Sequence, residues 1–203
     1  MDRIYFITHK NEKYSYIDGA KLALDCGIRL IQLRMKQTSG IEMLKTACQL
    51  KKECEKYKAK LIINDNSEIA IEVGANGVHI GQNDELISIV RNKIKENQII
   101  GLTCNTKEHI QQALEQKADY IGLGPYRFTN TKQNLSPILG IEGYKNLNCD
   151  IPIYAIGGIR LEDAEKLSQT KIYGIALSSL ILENKEPENL IKELRNYFKE
   201  IKN

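Results

Sequence analysis

Two acidic residues stand out because each follows a short apolar run. Asp65 ends "LIIND", and Asp84 comes shortly after "GVHI". If the two runs are neighbouring strands, both carboxylates lie at one edge and can converge on a hard divalent cation. Mg²⁺ is typically held by one or two protein carboxylates and completed by water and substrate phosphates. Asp65 has an alternative role as a helix cap, since Asn and Asp cap helices routinely.

Neutral and basic polar residues follow other apolar runs in the same way. They are Gln32, Arg34 and Lys36 after the second run, Asn64 in the third, Thr103 at the end of the fifth, and Thr129, Thr131 and Lys132 after the sixth. An acidic pair surrounded by cations suits a complex of Mg²⁺ with a diphosphate, because that ligand carries charges of both signs.

A second anion site is indicated by "AIGGI" and "ALSS", which contain Gly158, Ser178 and Ser179. Glycine N–H groups and hydroxyls at such positions commonly cradle phosphate in parallel α/β barrels. A glycine pair by itself indicates only a turn. Two anion sites at one opening predict an enzyme that acts on two small phosphorylated substrates.

The elements that must position these residues are eight short apolar runs separated by segments of helical period. The runs are 4–8, 30–34, 60–65, 77–80, 99–103, 120–125, 151–157 and 174–179. Near-continuous apolar strands are typical of a parallel sheet buried on both faces. Eight strand–helix units predict an α/β fold, a single compact (β/α)8 TIM barrel domain over residues 1–203. The alternative, a doubly wound open sheet, lacks a G-x-G-x-x-G motif after the first run.

Composition and charge narrow the functional class. The formal net charge of +3 is spread among mixed charges, which does not indicate a nucleic-acid partner. No apolar run approaches the roughly 20 residues of a membrane span, and the first residues lead directly into a strand pattern. We therefore expect a cytoplasmic protein without a membrane partner, and homo-oligomer formation stays open. The five cysteines form no C-x-x-C pair, and Cys48 is predicted to pack in the core.

Seven stretches together resemble the thiamine-phosphate synthase (thiamine-phosphate pyrophosphorylase) family over essentially the whole chain. They are "IQLRMK", "LIINDN", "NGVHIGQND", "IGLTCNT", "ADYIGLGPYRFTNTK", "IPIYAIGGI" and "YGIALSSLI". The resemblance implies a Mg²⁺-dependent transferase. It joins hydroxymethylpyrimidine diphosphate to a thiazole phosphate, giving thiamine phosphate and releasing pyrophosphate.

The resemblance also implies roles for the residues named above. Asp65 and Asp84 match the metal ligands. The pyrimidine diphosphate site matches Gln32, Arg34, Lys36, Asn64, Thr103 and Lys132, and the thiazole phosphate site matches Thr129, Thr131, Gly158, Ser178 and Ser179. Arg34, Lys36 and Lys132 are the expected catalytic cations. Asn66 departs from the arginine usual in the family, and Thr103 replaces a serine but keeps the hydroxyl.

Two alternative functions remain at this stage. A thiazole tautomerase of the same superfamily carries a catalytic histidine where this chain has Pro125. A non-catalytic regulator that binds a phosphorylated ligand needs no paired carboxylates. His79 is interpreted as an oriented, hydrogen-bonded residue rather than a ligand.

Overall fold

Eight parallel strands form a closed barrel in chain order in the computed structural model, which describes residues 1–129, 136–147 and 149–199. The strands are β1 Ile4–Ile7, β2 Leu30–Leu33, β3 Lys60–Asn64, β4 Gly77–Ile80, β5 Ile99–Cys104, β6 Tyr120–Leu123, β7 Ile153–Ile156 and β8 Gly174–Leu177. Strand β8 pairs back onto β1 in parallel, which closes the cylinder. The predicted (β/α)8 TIM barrel is confirmed.

Helices surround the barrel. They are α1 Tyr16–Asp25, α2 Gly40–Lys56, α3 Ser67–Glu72, α4 Ile87–Lys93, α5 Lys107–Glu115, α6 Ala164–Ser168, α7 Ser179–Leu182 and α8 Pro187–Tyr197. Hydroxyl side chains cap the first, second and fifth helices: Ser15, Ser39 and Thr106 each accept from a backbone N–H three residues later. These caps satisfy N–H groups that have no partner inside the helix.

The connection between β6 and β7 departs from the predicted strand–helix repeat. Its described residues contain one 3₁₀ turn, Glu142–Tyr144, and no α-helix. Pro137 and the glycines at 140 and 143 interrupt the helical period of this segment, and Gly140 adopts a positive φ of 54°. The segment after β7 begins as a 3₁₀ turn at Leu161–Asp163, which leads directly into α6.

The core has two layers, separated by the barrel wall. The larger layer packs outward-facing strand residues such as Phe6 and Ile31 against the helices. The smaller layer fills the barrel and includes Tyr5, Tyr120 and Tyr154. Because both faces of every strand are buried, the strands read as continuous apolar runs. Among helices in the described ranges, none has both the length and the apolar character needed to cross a bilayer.

The position predicted for Cys48 is wrong, because this side chain is exposed. The buried residues of α2 are Met43, Ala47, Leu50 and Cys54, which recur at helical spacing. Cys48 lies one position beyond that stripe. Cys104, by contrast, is buried, and burial raises the pKa of its thiol to about 12.

Candidate active site

One cavity of about 540 Å³ opens at the carboxyl ends of the strands, the face where barrel enzymes carry their chemistry. It gathers every predicted site residue that the structure describes. These are Gln32, Arg34, Lys36, Asn64, Asp65, Asp84, Thr103, Thr129, Gly158, Ser178 and Ser179. The predicted Thr131 and Lys132 lie outside the described residues.

The capping alternative for Asp65 is wrong, because its neighbour Asn66 performs that role. The Asn66 side chain accepts from the N–H of Ile69 at 2.9 Å and begins α3. Asp65 takes a left-handed backbone conformation, with φ of 63°, and its N–H donates to the carbonyl of His79 at 2.8 Å. The turn therefore leaves the Asp65 carboxylate available to the cavity.

The two predicted metal ligands meet at the same rim of the barrel. Burial raises the pKa of Asp84, and a contact with the Asp65 carboxyl raises it further. The N–H of Gly81 donates to Asp84 Oδ2 at 2.6 Å and helps to fix this side chain. Two acidic groups held together repel each other when both are ionised. A divalent cation between them would remove that repulsion.

Cations stand beside the acidic pair. Lys36 Nζ donates a hydrogen bond to the Asp65 carboxylate. Arg34 is anchored through its backbone N–H, which donates to Thr8 Oγ1 at 2.9 Å. Burial lowers the pKa of Arg34 while the nearby Asp65 opposes that shift, and an arginine remains charged throughout the working pH range. This side of the cavity thus contains both signs of charge.

The donor set suits a small oxygen-loving cation. No group of three or more His, Cys, Asp or Glu residues with metal-ligating geometry occurs in the part of the chain that the structure describes. Mg²⁺ does not need such a group, since water and substrate phosphate oxygens complete its coordination. Asp65 and Asp84 therefore have the chemistry to hold a divalent cation of this kind.

The opposite side of the cavity is built from close backbone approaches. Gly158 has a φ of 65°, and a Cβ at this position would lie 2.5 Å from the carbonyl oxygen of Phe128. The N–H of Arg127 donates to the carbonyl of Gly157 at 2.9 Å. Ser178 Oγ is buried and has no hydrogen-bond partner among the described residues. An unpaired buried hydroxyl in a cavity wall is suited to an anionic ligand.

Asp163 links the two segments that line this side of the cavity, which we call the backbone side. Asp163 is 4% exposed, and its carboxylate accepts from Tyr126 Oη at 3.2 Å and from the guanidinium of Arg127. The other oxygen accepts from the N–H of Arg160 at 2.9 Å. One carboxylate thus joins the segment after β6 to the segment after β7.

A chain of hydrogen-bonded side chains, which we call the floor chain, crosses the barrel beneath the cavity. Gln32 Nε2 donates to Tyr5 Oη at 2.7 Å, and the hydroxyls of Tyr5 and Tyr120 are 2.9 Å apart. His79 Nδ1 lies 3.1 Å from Tyr120 Oη, and Nε2 lies 3.0 Å from Thr103 Oγ1. The interpretation of His79 as an oriented residue is confirmed.

Tyr5 and Tyr120 are the residues that sequence reasoning missed. Each lies within an apolar run, where a tyrosine is interpreted as one more large side chain of the core. The available signal was the hydroxyl, because a buried tyrosine usually needs a hydrogen-bond partner. A tyrosine in a strand buried on both faces therefore predicts a second polar group inside the barrel.

The chain matches one family over most of its length. A profile described as "Thiamine monophosphate synthase" matches residues 4–181. A thiamine-phosphate synthase of Phocaeicola vulgatus is 43% identical over 200 residues, which cover 95% of this chain and 96% of the relative. That of Flavobacterium psychrophilum is 45% identical over 200 residues, covering 95% and 97%.

Solved structures extend the similarity to three dimensions. A thiamine phosphate pyrophosphorylase from Pyrococcus furiosus superposes with a TM-score of 0.82 at 28% identity, over 99% of this chain and 97% of that chain. A 3-hexulose-6-phosphate synthase superposes with a TM-score of 0.73 at 13% identity, over 97% and 99%, which shows the shared barrel fold alone. From the profile match and the identity to full-length relatives, we conclude that this chain belongs to the thiamine monophosphate synthase family.

Proposed function

We propose that this chain is the thiamine-phosphate synthase of its family, joining hydroxymethylpyrimidine diphosphate to a thiazole phosphate. The observation that carries the proposal is the contact between Asp65 and Asp84 at the cavity rim, with Lys36 bonded to Asp65. Such a cluster suits a metal–diphosphate leaving group. The thiazole tautomerase and regulator alternatives are not favoured, because the homologous chains are named as synthases.

The acidic side of the cavity would hold the diphosphate substrate. Asp65 and Asp84 would bind Mg²⁺, which supplies charge neutralisation to the phosphate oxygens when it is bound. Arg34 and Lys36 would bind the same oxygens as charge grows on the departing pyrophosphate. We assign the same role to Lys132, on the family resemblance. The amides Gln32 and Asn64, together with Thr103, would orient the pyrimidine end.

The backbone side would hold the thiazole phosphate. The Ser178 hydroxyl would gain in the phosphate the partner that it lacks among the residues that the structure describes. Gly158 has no Cβ, and the backbone next to it leaves no room for one. Ser179 and Thr129 line the same wall of the cavity. We assign Thr131 to this group as well, on the family resemblance. This arrangement would place the thiazole nitrogen opposite the pyrimidine methylene carbon.

The proposed reaction needs no protein nucleophile. The bond between the methylene carbon and the pyrophosphate oxygen breaks, and the thiazole nitrogen forms the new bond to that carbon. The thiazole nitrogen carries no proton to remove, so a general base is not required. An aminopyrimidine can support positive charge on its methylene carbon, which favours a dissociative path. The protein would then act by orienting both substrates and stabilising pyrophosphate.

The deciding experiment incubates the purified chain with both substrates and Mg²⁺, and detects thiamine phosphate by mass and pyrophosphate by a coupled assay. We expect both products in equal amounts, and neither product with EDTA. Asp65→Asn should lower turnover by at least about 100-fold, the scale of a lost electrostatic contact to a leaving group. The control Asp18→Asn, on the exposed face of α1, should retain full activity. Full activity of Asp65→Asn at saturating Mg²⁺ would contradict the assignment.

We also propose a cytoplasmic location and no nucleic-acid partner. The location is supported by the five cysteines, all of which are free thiols, as a reducing compartment would leave them. The absence of a nucleic-acid partner is supported by the mixed charges and the modest net charge of +3.

A further inference from the structure

We propose that the floor chain couples the hydrogen-bonding character of its two ends, so that the cavity floor always presents one donor and one acceptor. The ends are the Gln32 amide and the Thr103 hydroxyl, and both line the cavity. Tyr5, Tyr120 and His79 act as positioning residues for these two groups. The assignment of an aminopyrimidine as the ligand rests on the proposed function.

The coupling follows from the number of protons that each member carries. A tyrosine hydroxyl donates one hydrogen bond, and a neutral imidazole has one N–H and one lone pair. In one proton order, Gln32 Nε2 donates to Tyr5, Tyr5 to Tyr120, and Tyr120 to His79 Nδ1. His79 Nε2 then donates to Thr103. In the reverse order, every bond changes direction.

Mixed orders are disfavoured because the interior is buried. Tyr5 is 1% exposed and Tyr120 is 0% exposed, so water is not a ready substitute partner. A mixed order leaves either a hydroxyl proton without an acceptor or two oxygen lone pairs facing each other. Leaving a buried polar group unpaired costs more than an ordinary hydrogen bond contributes. The chain therefore has two favourable states rather than many.

The two proton orders determine which end of the floor chain donates to the ligand and which end accepts from it. In the first order, Gln32 Oε1 is left to accept and the Thr103 hydroxyl is left to donate. In the second, Gln32 donates from its amide and Thr103 accepts. The structure places Gln32 Nε2 on Tyr5, which corresponds to the first order. An aminopyrimidine carries an amino donor and ring-nitrogen acceptors, so in the first order its amino group would donate to Gln32 Oε1 and a ring nitrogen would accept from the Thr103 hydroxyl.

Packing holds the chain in place. A Cβ at Gly101 would lie 2.1 Å from Tyr120 Cζ and 2.5 Å from His79 Nδ1, so only glycine leaves room for this contact. Tyr5 and Tyr120 meet edge to face, with ring centroids 5.9 Å apart. The links thus depend on a tightly packed interior.

Tyr154 provides a matched control inside the same barrel. Its ring contacts Tyr5 and Tyr120 with centroids 5.3 Å and 5.7 Å apart, and it is equally buried. Its hydroxyl, however, donates to the carbonyl of Asp2, which precedes the first strand. Tyr120→Phe breaks the floor chain, whereas Tyr154→Phe removes a hydroxyl of the same interior without touching the chain.

The first measurement compares the two variants in steady-state kinetics with each substrate varied in turn. We expect Tyr120→Phe to raise KM for the pyrimidine diphosphate about tenfold, the effect of one misaligned hydrogen-bond pair. KM for the thiazole phosphate should stay within about twofold, a split that general destabilisation would not produce. Tyr154→Phe should change neither value. If Tyr120→Phe and Tyr154→Phe show the same profile, the coupling is refuted.

The second measurement reads the proton order directly by ¹⁵N NMR of the histidine ring nitrogens in the free protein. The chain has three histidines, so variants of the other two identify the His79 signals. We expect one dominant tautomer of His79 in the wild type and a mixture in Tyr120→Phe. Unchanged tautomer populations would overturn the proposal. If Tyr120→Phe does not fold, Tyr5→Phe breaks the neighbouring link, and the same two outcomes decide.

The two levels of the proposal fail separately. If the wild type makes no thiamine phosphate from the two substrates, the proposed function fails. If it makes thiamine phosphate while Tyr120→Phe keeps wild-type kinetics and the wild-type tautomer, only the coupling fails.

Discussion

Replacing Asp163 with alanine tests whether one carboxylate holds together the two segments on the backbone side of the cavity. Asp163 is 4% exposed, and its carboxylate accepts from Tyr126, Arg127 and Arg160. Removing the hydrogen bonds from the Tyr126 hydroxyl and from the backbone N–H of Arg160 should each lower the free energy of unfolding by about 1 kcal/mol. Arg127 is 41% exposed, so solvent screening limits its share to about 1 kcal/mol. We therefore expect a loss of about 3 kcal/mol in the free energy of unfolding.

The assay is thermal and urea denaturation of wild type and variants. For a chain of this length, about 3 kcal/mol corresponds to a fall in Tm of roughly 6–12 °C. The matched control is Glu162→Ala, because Glu162 also pairs with an arginine, Arg160, two residues earlier in the chain, but is 66% exposed. It should change stability by less than about 0.5 kcal/mol. Asp163→Asn, which cannot accept from all three donors, should lie between the two.

The result that refutes this reasoning is a loss in Asp163→Ala no larger than in Glu162→Ala. It would mean that burying the carboxylate costs as much as its three hydrogen bonds contribute, an outcome known for some buried ion pairs. The variant should also raise KM for the thiazole phosphate more than KM for the diphosphate. Thr129 follows Arg127 by two residues and lines that side of the cavity.

Three further predictions follow from the geometry. Asp84→Asn should raise the Tm of the metal-free protein. The folded state binds the Asp84 proton more tightly than the unfolded chain does, because the pKa of Asp84 is raised in the folded state. The free energy of unfolding of the wild type therefore falls as the pH rises through that raised pKa. The gain should therefore be larger at pH 8 than at pH 4 in melts with EDTA, and a loss at pH 8 would contradict it. Gly158→Ala should abolish most activity, since its Cβ would lie 2.5 Å from the carbonyl oxygen of Phe128. Gly140→Ala should stay active in the same assay, because Gly140 also has a positive φ but a Cβ there would have no atom within 4 Å. In timed thiol alkylation followed by mass spectrometry, the exposed Cys48 should react before the buried Cys54 and Cys104. Burial raises the pKa of both buried thiols to about 12, which leaves little reactive thiolate. Early labelling of Cys104 would count against its burial.

The barrel and the family can both be predicted from the amino-acid sequence. Eight apolar runs in regular alternation with helical segments leave little choice of architecture, because parallel strands buried on both faces require covering layers. The family named from the seven motifs, and the synthase function, are confirmed by the profile match and the named homologues. Residues at strand ends could also be identified, since parallel strands have all their carboxyl ends on one face of the barrel. Their individual roles remain predictions.

Tertiary structure alone decided which side chains meet. The contact of Tyr5 with Tyr120 joins strands β1 and β6, which are not neighbours in the barrel and converge only through its interior. Runs that are apolar throughout carry no alternation, so they do not reveal which residues point inward. In the same way, the left-handed turn at Asp65 frees a carboxylate that sequence alone left as a possible cap. The local sequence pattern determines where the strands and helices form, whereas contacts across the barrel depend on how the sheet closes and on the register of its strands.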